Sequence, residues 1–441
     1  MRKTAIVLLV SGLLAAGPAG ALICTADDVP AATLLLPYFE VDLDNQWGSG
    51  TLFSINNASA TAVLAHVVVW SDLSVPVLDF NVYLTGYDVQ TINLRDIIVD
   101  GMLPRTASAG QDPNDTISPK GQFSQDINFA SCAGQLPPPP LPATFTQHLR
   151  LALTGQASPI LGDRCAGRAL GDNIARGYIT IDTVNNCTLR FPGDAGYFAP
   201  GGTGDATNQN VLWGDYFYVK DMANLAEGET LVHIEAAPGV GTSALYGTYG
   251  ANPETSVAGQ YTFYGRYVSW TAADNREPLS TNFAGRFVNG GTFDGGTDWL
   301  CWRDSKVNQA PFTCPASEGV RPPWFPLGQE GVVIFDEEEQ PEVPQSVPVS
   351  PQPPETTNLL CPAEAQRTAI GGASFPVTPD FGWIYANLNT TVAGNPNPPE
   401  DPAAAQAWVT VVMTAEGRFG VGFDAIQLDS ACMALHFVPA P

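Results

Sequence analysis

Basic side chains are scarce in this chain: 19 Lys and Arg stand against 44 Asp and Glu in 441 residues, a formal charge of −25. Such a balance offers no basic patch to displace counterions from phosphates, which excludes a nucleic-acid partner. Charged residues of both signs make up only 14% of the chain, so the acidity comes from missing cations more than from abundant carboxylates. Solubility outside the cell is the simplest use of that surface, and calcium, basic partners or neutral glycans are compatible with it. Long apolar runs are also missing. No stretch approaches the roughly 18 uninterrupted apolar residues of a membrane helix, so no transmembrane span is expected.

The four histidines, His66, His148, His233 and His436, are too few for a histidine-rich metal site. No two cysteines form a C-x-x-C pair, which removes the zinc knuckle and the thioredoxin-like redox centre. The G-x-S-x-G elbow, the H-E-x-x-H helix, the phosphate-cradling glycine loop and the dinucleotide fingerprint are all absent. No resident cofactor is expected, calcium being the one ion the acidic surface would accept. The segment Asp42 to Gly48 has acidic spacing, but Gln46 and Trp47 stand where a calcium loop needs a ligand and a glycine, so it reads as a turn.

What is present begins with Arg2 and Lys3, the apolar run Ala5 to Leu14, and Gly17 to Ala21, the pattern of a secretory signal peptide over residues 1–21. A lipoprotein reading would acylate Cys24, but Ile23 is bulky where a small residue is wanted. Eight cysteines follow the leader: Cys24, Cys132, Cys165, Cys187, Cys301, Cys314, Cys361 and Cys432. An even count in an exported chain is a disulfide signal. Spacing does not fix connectivity. The economical pairs are Cys165 with Cys187 and Cys301 with Cys314, with Cys361 joined to Cys432. The expected location is extracellular or at the cell surface, with the periplasm as the alternative compartment.

Strand signals dominate the remainder. Thr51 to Leu94 holds four short runs rich in Val, Ile, Leu and Phe, separated by turn formers. Phe80, Val82 and Leu84 alternate with Asn81 and Tyr83, as the two faces of a pleated strand require. His66, on one face with Leu64, Val68 and Trp70, reads as a hydrogen-bonded core residue rather than a metal ligand. With SINNASATAVLAHVVVW followed by FNVYLTGYDVQTINL, this stretch resembles the immunoglobulin-like β-sandwich modules of exported bacterial surface proteins. The resemblance spans roughly a tenth of the chain, implies a sandwich, carries no catalytic residue over, and lacks the Cys-Trp-Cys pattern of antibody domains.

Beyond Leu103, Pro104 to Lys120 and the polyproline stretch Gln135 to Pro142 read as a loop or linker over 104–143. Strand-like runs resume with FTQHLRLAL, GYITIDTV, VLWGDYFYVK, ETLVHIEA, QYTFYGRYVSW and GRFVNG. Within them Ile179 and Ile181 face one way and Tyr178, Thr180 and Asp182 the other, while Val232 and Ile234 face inward and leave His233 and Glu235 outward. The tract Asp336 to Glu339 and the prolines after it read as a solvated linker over 336–358. FGWIYANL and the hairpin WVTVVMT/FGVGF close the chain and need an earlier sheet to dock on. No long amphipathic helix is evident. The fold class expected is all-β: two or more β-sandwich modules, Ig-like or jelly-roll-like, with long Pro/Gly-rich loops. The modules would run 22–103 and 144–335, with a tail at 359–441.

For acid–base chemistry the candidates are His233, Glu235, Asp215 and Asp274, with Arg276 beside the last. Residues two apart on a strand share a face, and glycoside hydrolysis needs two carboxylates roughly 5–10 Å apart. For ligand stacking the candidates are Trp299, Trp302, Trp324 and Phe325, in segments stiffened by disulfides and prolines. Two functional classes follow. One is a non-enzymatic structural or adhesive protein of the cell surface or extracellular matrix, contacting matrix components, glycans or copies of itself. The other binds or cleaves carbohydrate. An outer-membrane barrel fits poorly with 38 prolines and the terminal HFVPAP.

Overall fold

The computed structural model describes residues 29–105, 129–221, 224–236, 262–269, 273–291, 294–304, 310–314, 325–343, 359–389, 406–415 and 418–428. The leader over 1–21, Cys24, Trp324, Cys432 and the terminal HFVPAP lie outside these residues. Strands dominate, in four antiparallel sheets, and no helix among the described residues is long and apolar enough to cross a membrane.

The first sheet contains β1 (Thr33–Asp42), β3 (Val63–Ser71), β4 (Pro76–Leu84), β6 (Ile174–Val184) and β10 (Val232–Ile234), in the order β10-β1-β6-β3-β4. The second contains β2 (Ser49–Asn57), β5 (Val89–Asn93), β8 (Asp215–Lys220) and β9 (Leu225–Thr230), in the order β5-β2-β8-β9, with β7 (Leu212–Trp213) also paired to β2. The four runs of Thr51 to Leu94 are thus divided, β3 and β4 going to one sheet and β2 and β5 to the other. Because β1 and β3 both pair with β6, and β2 pairs with β8, residues 33–93 share both of these sheets with residues 174–234. The boundary expected between modules 22–103 and 144–335 does not follow the strand pairing.

The third sheet is built from β12 (Gly295–Asp304), β15 (Ala365–Ile370), β17 (Gln406–Ala415) and β18 (Phe419–Asp424), in the order β15-β12-β17-β18. The fourth is built from β11 (Asn282–Val288), β13 (Gly331–Asp336), β14 (Pro341–Glu342), β16 (Phe381–Asn387) and β19 (Ile426–Gln427), in the order β14-β13-β16-β11-β19. The tail therefore completes sheets begun by residues 282–336. Asp336 to Glu339, expected as the start of a linker, forms the turn of the β13–β14 hairpin, in which the Asp336 carboxylate accepts the N–H groups of Glu338 and Gln340. A local acidic turn satisfies its own backbone and needs no spacer role.

Two cores result. Phe283, Phe287, Val332, Ile334, Ile384 and Ala386 of the fourth sheet pack with Trp299, Cys301, Val409 and Val411 of the third. The larger core joins the first two sheets and also takes Leu300, Trp302, Ala365, Trp408 and Val412 from the third. Tyr178 illustrates the consequence. It lies on the face opposite Ile179 and Ile181 and is buried like them, stacked on Trp70 and edge-on to Trp302. Further along the same face of β6 Asp182 is wholly buried, accepting hydrogen bonds from the hydroxyls of Thr33, Tyr197 and Tyr264, with Arg276 at 3.6 Å. A buried carboxylate is tolerated because each oxygen is occupied.

Two runs expected as strands take other forms. FTQHLRLAL is the helix α2 (Ala143–Leu153), which follows the short α1 (Leu94–Ile98). Gln, Arg, Leu and Ala favour helix, and one face of α2 buries His148, Leu149, Ala152 and Leu153 at the spacing of adjacent turns. Phe263 to Ser269, within QYTFYGRYVSW, is a series of turns because Tyr264 and Arg266 reach separate buried anchors, Asp182 for the first and Asp304 with Glu364 for the second.

The disulfides among the described residues are Cys132–Cys187, Cys165–Cys314 and Cys301–Cys361, closing spans of 55, 149 and 60 residues. The nearest-neighbour pairs Cys165–Cys187 and Cys301–Cys314 do not form, and Cys361 is not available to Cys432. Sheets that interleave distant segments bring sequence-remote cysteines together.

Candidate functional site

The residues expected to carry acid–base chemistry are placed in two settings. His233 is buried, its Nδ1 donating to the Val29 carbonyl at 2.9 Å and its Nε2 accepting the Gly214 N–H at 3.4 Å. Both ring nitrogens thus serve the backbone. Glu235 is half-buried, and burial raises its pKa; Asn210 approaches it at 3.5 Å. Its carbonyl accepts the Glu277 N–H, and the neighbouring Ala236 bridges to Arg276, so Glu235 lies beside the Asp274 to Glu277 segment. Asp274 is wholly buried, and burial pushes its pKa up to about 6 against hydrogen bonds from the Thr262 hydroxyl and the Tyr264 N–H. Arg276 fans out to Thr33, Thr207 and the Asp274 carbonyl, clamping the segment to β1.

Asp215 stands apart from these, on the outward face of the second sheet. The stacking candidates are placed elsewhere again. Trp299 is fully buried in the core of the third and fourth sheets and Trp302 in the larger core, on opposite faces of β12, so neither ring is presented to a ligand. Phe325 is partly buried against Leu73, Leu327 and Ala363.

Around Asp215 the outward face has a composition unlike the rest. Trp213, Asp215 and Phe217 alternate along β7 and β8 with buried Tyr216 and Tyr218, and register sets them opposite Asn56, Ser54 and Leu52 of β2. Trp213 is 43% exposed and Phe217 47%, although each is a large ring that folding would ordinarily cover. Gly228 on β9 lies against the Phe217 ring, and any Cβ there would strike it, so the ring rests on the sheet. At the rim Tyr87 is 69% exposed and held at φ 56° by its N–H on the Ser59 carbonyl. These residues bound a shallow depression of about 710 Å³. No family model, curated protein or solved structure matches this chain.

The floor of the depression is a polar relay. The Asn56 amide donates to Ser54 Oγ at 2.9 Å and to the Trp213 carbonyl at 3.2 Å, and Ser54 Oγ donates to Asp215 Oδ1 at 2.8 Å. Asp215 is thereby fixed between the two rings. Its Oδ2 has no donor among the described residues. Two flat hydrophobic surfaces flanking an oriented acceptor match the two sides of a sugar, whose C–H face stacks on a ring while its edge hydroxyls donate. Among the described residues no group of three His, Cys, Asp or Glu is arranged to hold a metal ion.

Sequence reasoning found Asp215 but missed Trp213 and Phe217. The signal was present in WGDYF, where Trp, Asp and Phe at i, i+2 and i+4 occupy one face and Gly and Tyr the other. Telling which face is solvated required knowing that Tyr216 and Tyr218 enter the core.

Proposed function

We propose that this protein is an exported, non-enzymatic adhesive component of the cell surface or extracellular matrix, built of β-sandwich modules, that holds glycans on the outward face of its second sheet. The observation that carries the reading is the pair of exposed rings, Trp213 and Phe217, flanking a carboxylate already oriented by Ser54. Three disulfides among the described residues fit an oxidising compartment. The immunoglobulin-like resemblance of Thr51 to Leu94 is compatible with the division of its strands between two sheets sharing one core.

Binding is favoured over cleavage because His233 and Asp274 are committed to hydrogen bonds inside the fold. A glycosidase needs one carboxyl as proton donor and a second on the opposite side of the scissile bond. The test is affinity electrophoresis of the native protein through gels cast with soluble polysaccharides. Retardation that disappears in Trp213→Ala, with no reducing sugar released, is the expected result. Unretarded migration in every polysaccharide, or release of reducing ends, would refute it.

A further inference from the structure

We infer that the sheet face selects glycans bearing free amino groups, an ammonium of the sugar seating on Asp215 between the Trp213 and Phe217 rings. This rests on the glycan reading above and adds its chemical class. The charged residues lining the depression are Asp88 and Asp215, both acids, with neither Lys nor Arg among them. Asp88 is spent on its own turn, accepting from the Thr85 N–H, the Thr85 hydroxyl and the Val89 N–H. Asp215 is different: Ser54 occupies Oδ1, Oδ2 meets no donor among the described residues, and the partly exposed residue lines the depression. A carboxylate so held prefers a cationic donor to a hydroxyl, since a charge-assisted hydrogen bond is about twice as strong as a neutral one. The rings add to the preference, because the faces of Trp and Phe attract an ammonium.

The whole chain reinforces the choice. A formal charge of −25 draws polycations in and turns uronate polymers away before any contact is made. A lysine-rich peptide carries the same ammonium. It lacks a flat C–H face of a size to stack on Trp213 while its neighbouring hydroxyls meet Asn56 and Thr91, so the amino sugar is the better fit to this floor.

Titration calorimetry at about pH 5, where a sugar amine is charged, separates the possibilities. The probes are a glucosamine tetramer, its fully N-acetylated counterpart, a uronate tetramer and tetralysine. The free-amine tetramer should bind about tenfold more tightly than the acetylated one, with the uronate unbound. Asp215→Asn, which keeps an acceptor for Ser54, should erase that difference by weakening only the free-amine probe. Trp213→Ala should weaken both neutral and cationic sugars by about tenfold. Equal binding of the acetylated and free-amine tetramers overturns the amine preference and leaves the glycan reading standing. Failure to bind any sugar overturns both, and tetralysine binding as tightly as the amino sugar, unaffected by Trp213→Ala, assigns the face to peptides instead.

Discussion

Glu227 on β9 is buried with neither carboxyl oxygen hydrogen-bonded among the described residues. Its side chain packs over Gly422 of β18, where any Cβ would collide with the carboxyl, so it sits where the second sheet meets the third. Burial pushes its pKa up to about 8, opposed by Arg367 of β15 and aided by Glu229 on its own strand, Asp424 of β18 and Asp298 of β12. In the unfolded chain the same carboxyl ionises near 4.5. Between those values the folded protein therefore holds a proton that the unfolded chain has lost, and stability falls as pH rises through the window, levelling off above about 8. The slope from this one group is at most about 1.4 kcal/mol per pH unit. Glu227→Gln should flatten it and raise the melting temperature at pH 8 while leaving it almost unchanged at pH 4, as differential scanning calorimetry across that range would register. A mutant as pH-sensitive as the parent would mean that Glu227 ionises without penalty.

At the scale of elements, α2 and the disulfides anchor what the strands leave loose. Leu149 is fully buried where α2 meets the first sheet, and His148 bridges the Ser158 hydroxyl at 2.7 Å and the Val77 carbonyl at 3.1 Å. Burial lowers the His148 pKa, so it acts there as a neutral donor and acceptor. Leu149→Ala should cost about 2–5 kcal/mol in chemical denaturation, the range for a truncated core leucine. Cys165–Cys314 closes the widest span of the bridges among the described residues, 149 residues. Replacing both of its cysteines by Ser should lower stability by about 2–5 kcal/mol in denaturant unfolding, with a steeper slope because the unlinked chain exposes more surface when unfolded. The strand runs of Thr51 to Leu94, Gly177 to Val184 and the final hairpin were legible from alternation. FTQHLRLAL was not, because a nine-residue run of mixed Leu and polar residues fits either period and only the burial of Leu149 with Ala152 and Leu153 decides for helix.

For the whole molecule the decisive feature is the larger core, which Trp302, Trp408 and Ala365 of the third sheet enter from the other half of the chain. Arginine contacts cross the same boundary, those of Arg266 fully buried and those of Arg367 and Arg168 partly so. Arg266 meets Asp304 at 3.3 Å and Glu364 at 2.9 Å, Arg367 joins Glu40 at 3.0 Å to Asp298 at 2.8 Å, and Arg168 reaches Asp72 at 2.6 Å and Gln366 at 2.9 Å. Halves joined through apolar packing and desolvated charges should not melt separately, and calorimetry should record one transition with matching calorimetric and van't Hoff enthalpies. Two resolved transitions would contradict the shared core. Arg266→Ala should destabilise that single transition by about 3–5 kcal/mol, since it leaves Asp304 and Glu364 buried without their cation.

The amino-acid order by itself determined the β class, the position of most strands and the anionic surface, because alternation and charge are local or additive properties. It also supplied Asp215. Which cysteines pair, which strands share a sheet and which face of each strand meets water were decided only by the tertiary structure. Those depend on contacts between segments more than a hundred residues apart, such as Cys165 with Cys314 and β2 with β8. The same contacts bury Trp299, Trp302 and His233 and leave Trp213 and Phe217 uncovered. A ring has the same composition in a core or on a surface; only the layer packed over it makes it one or the other.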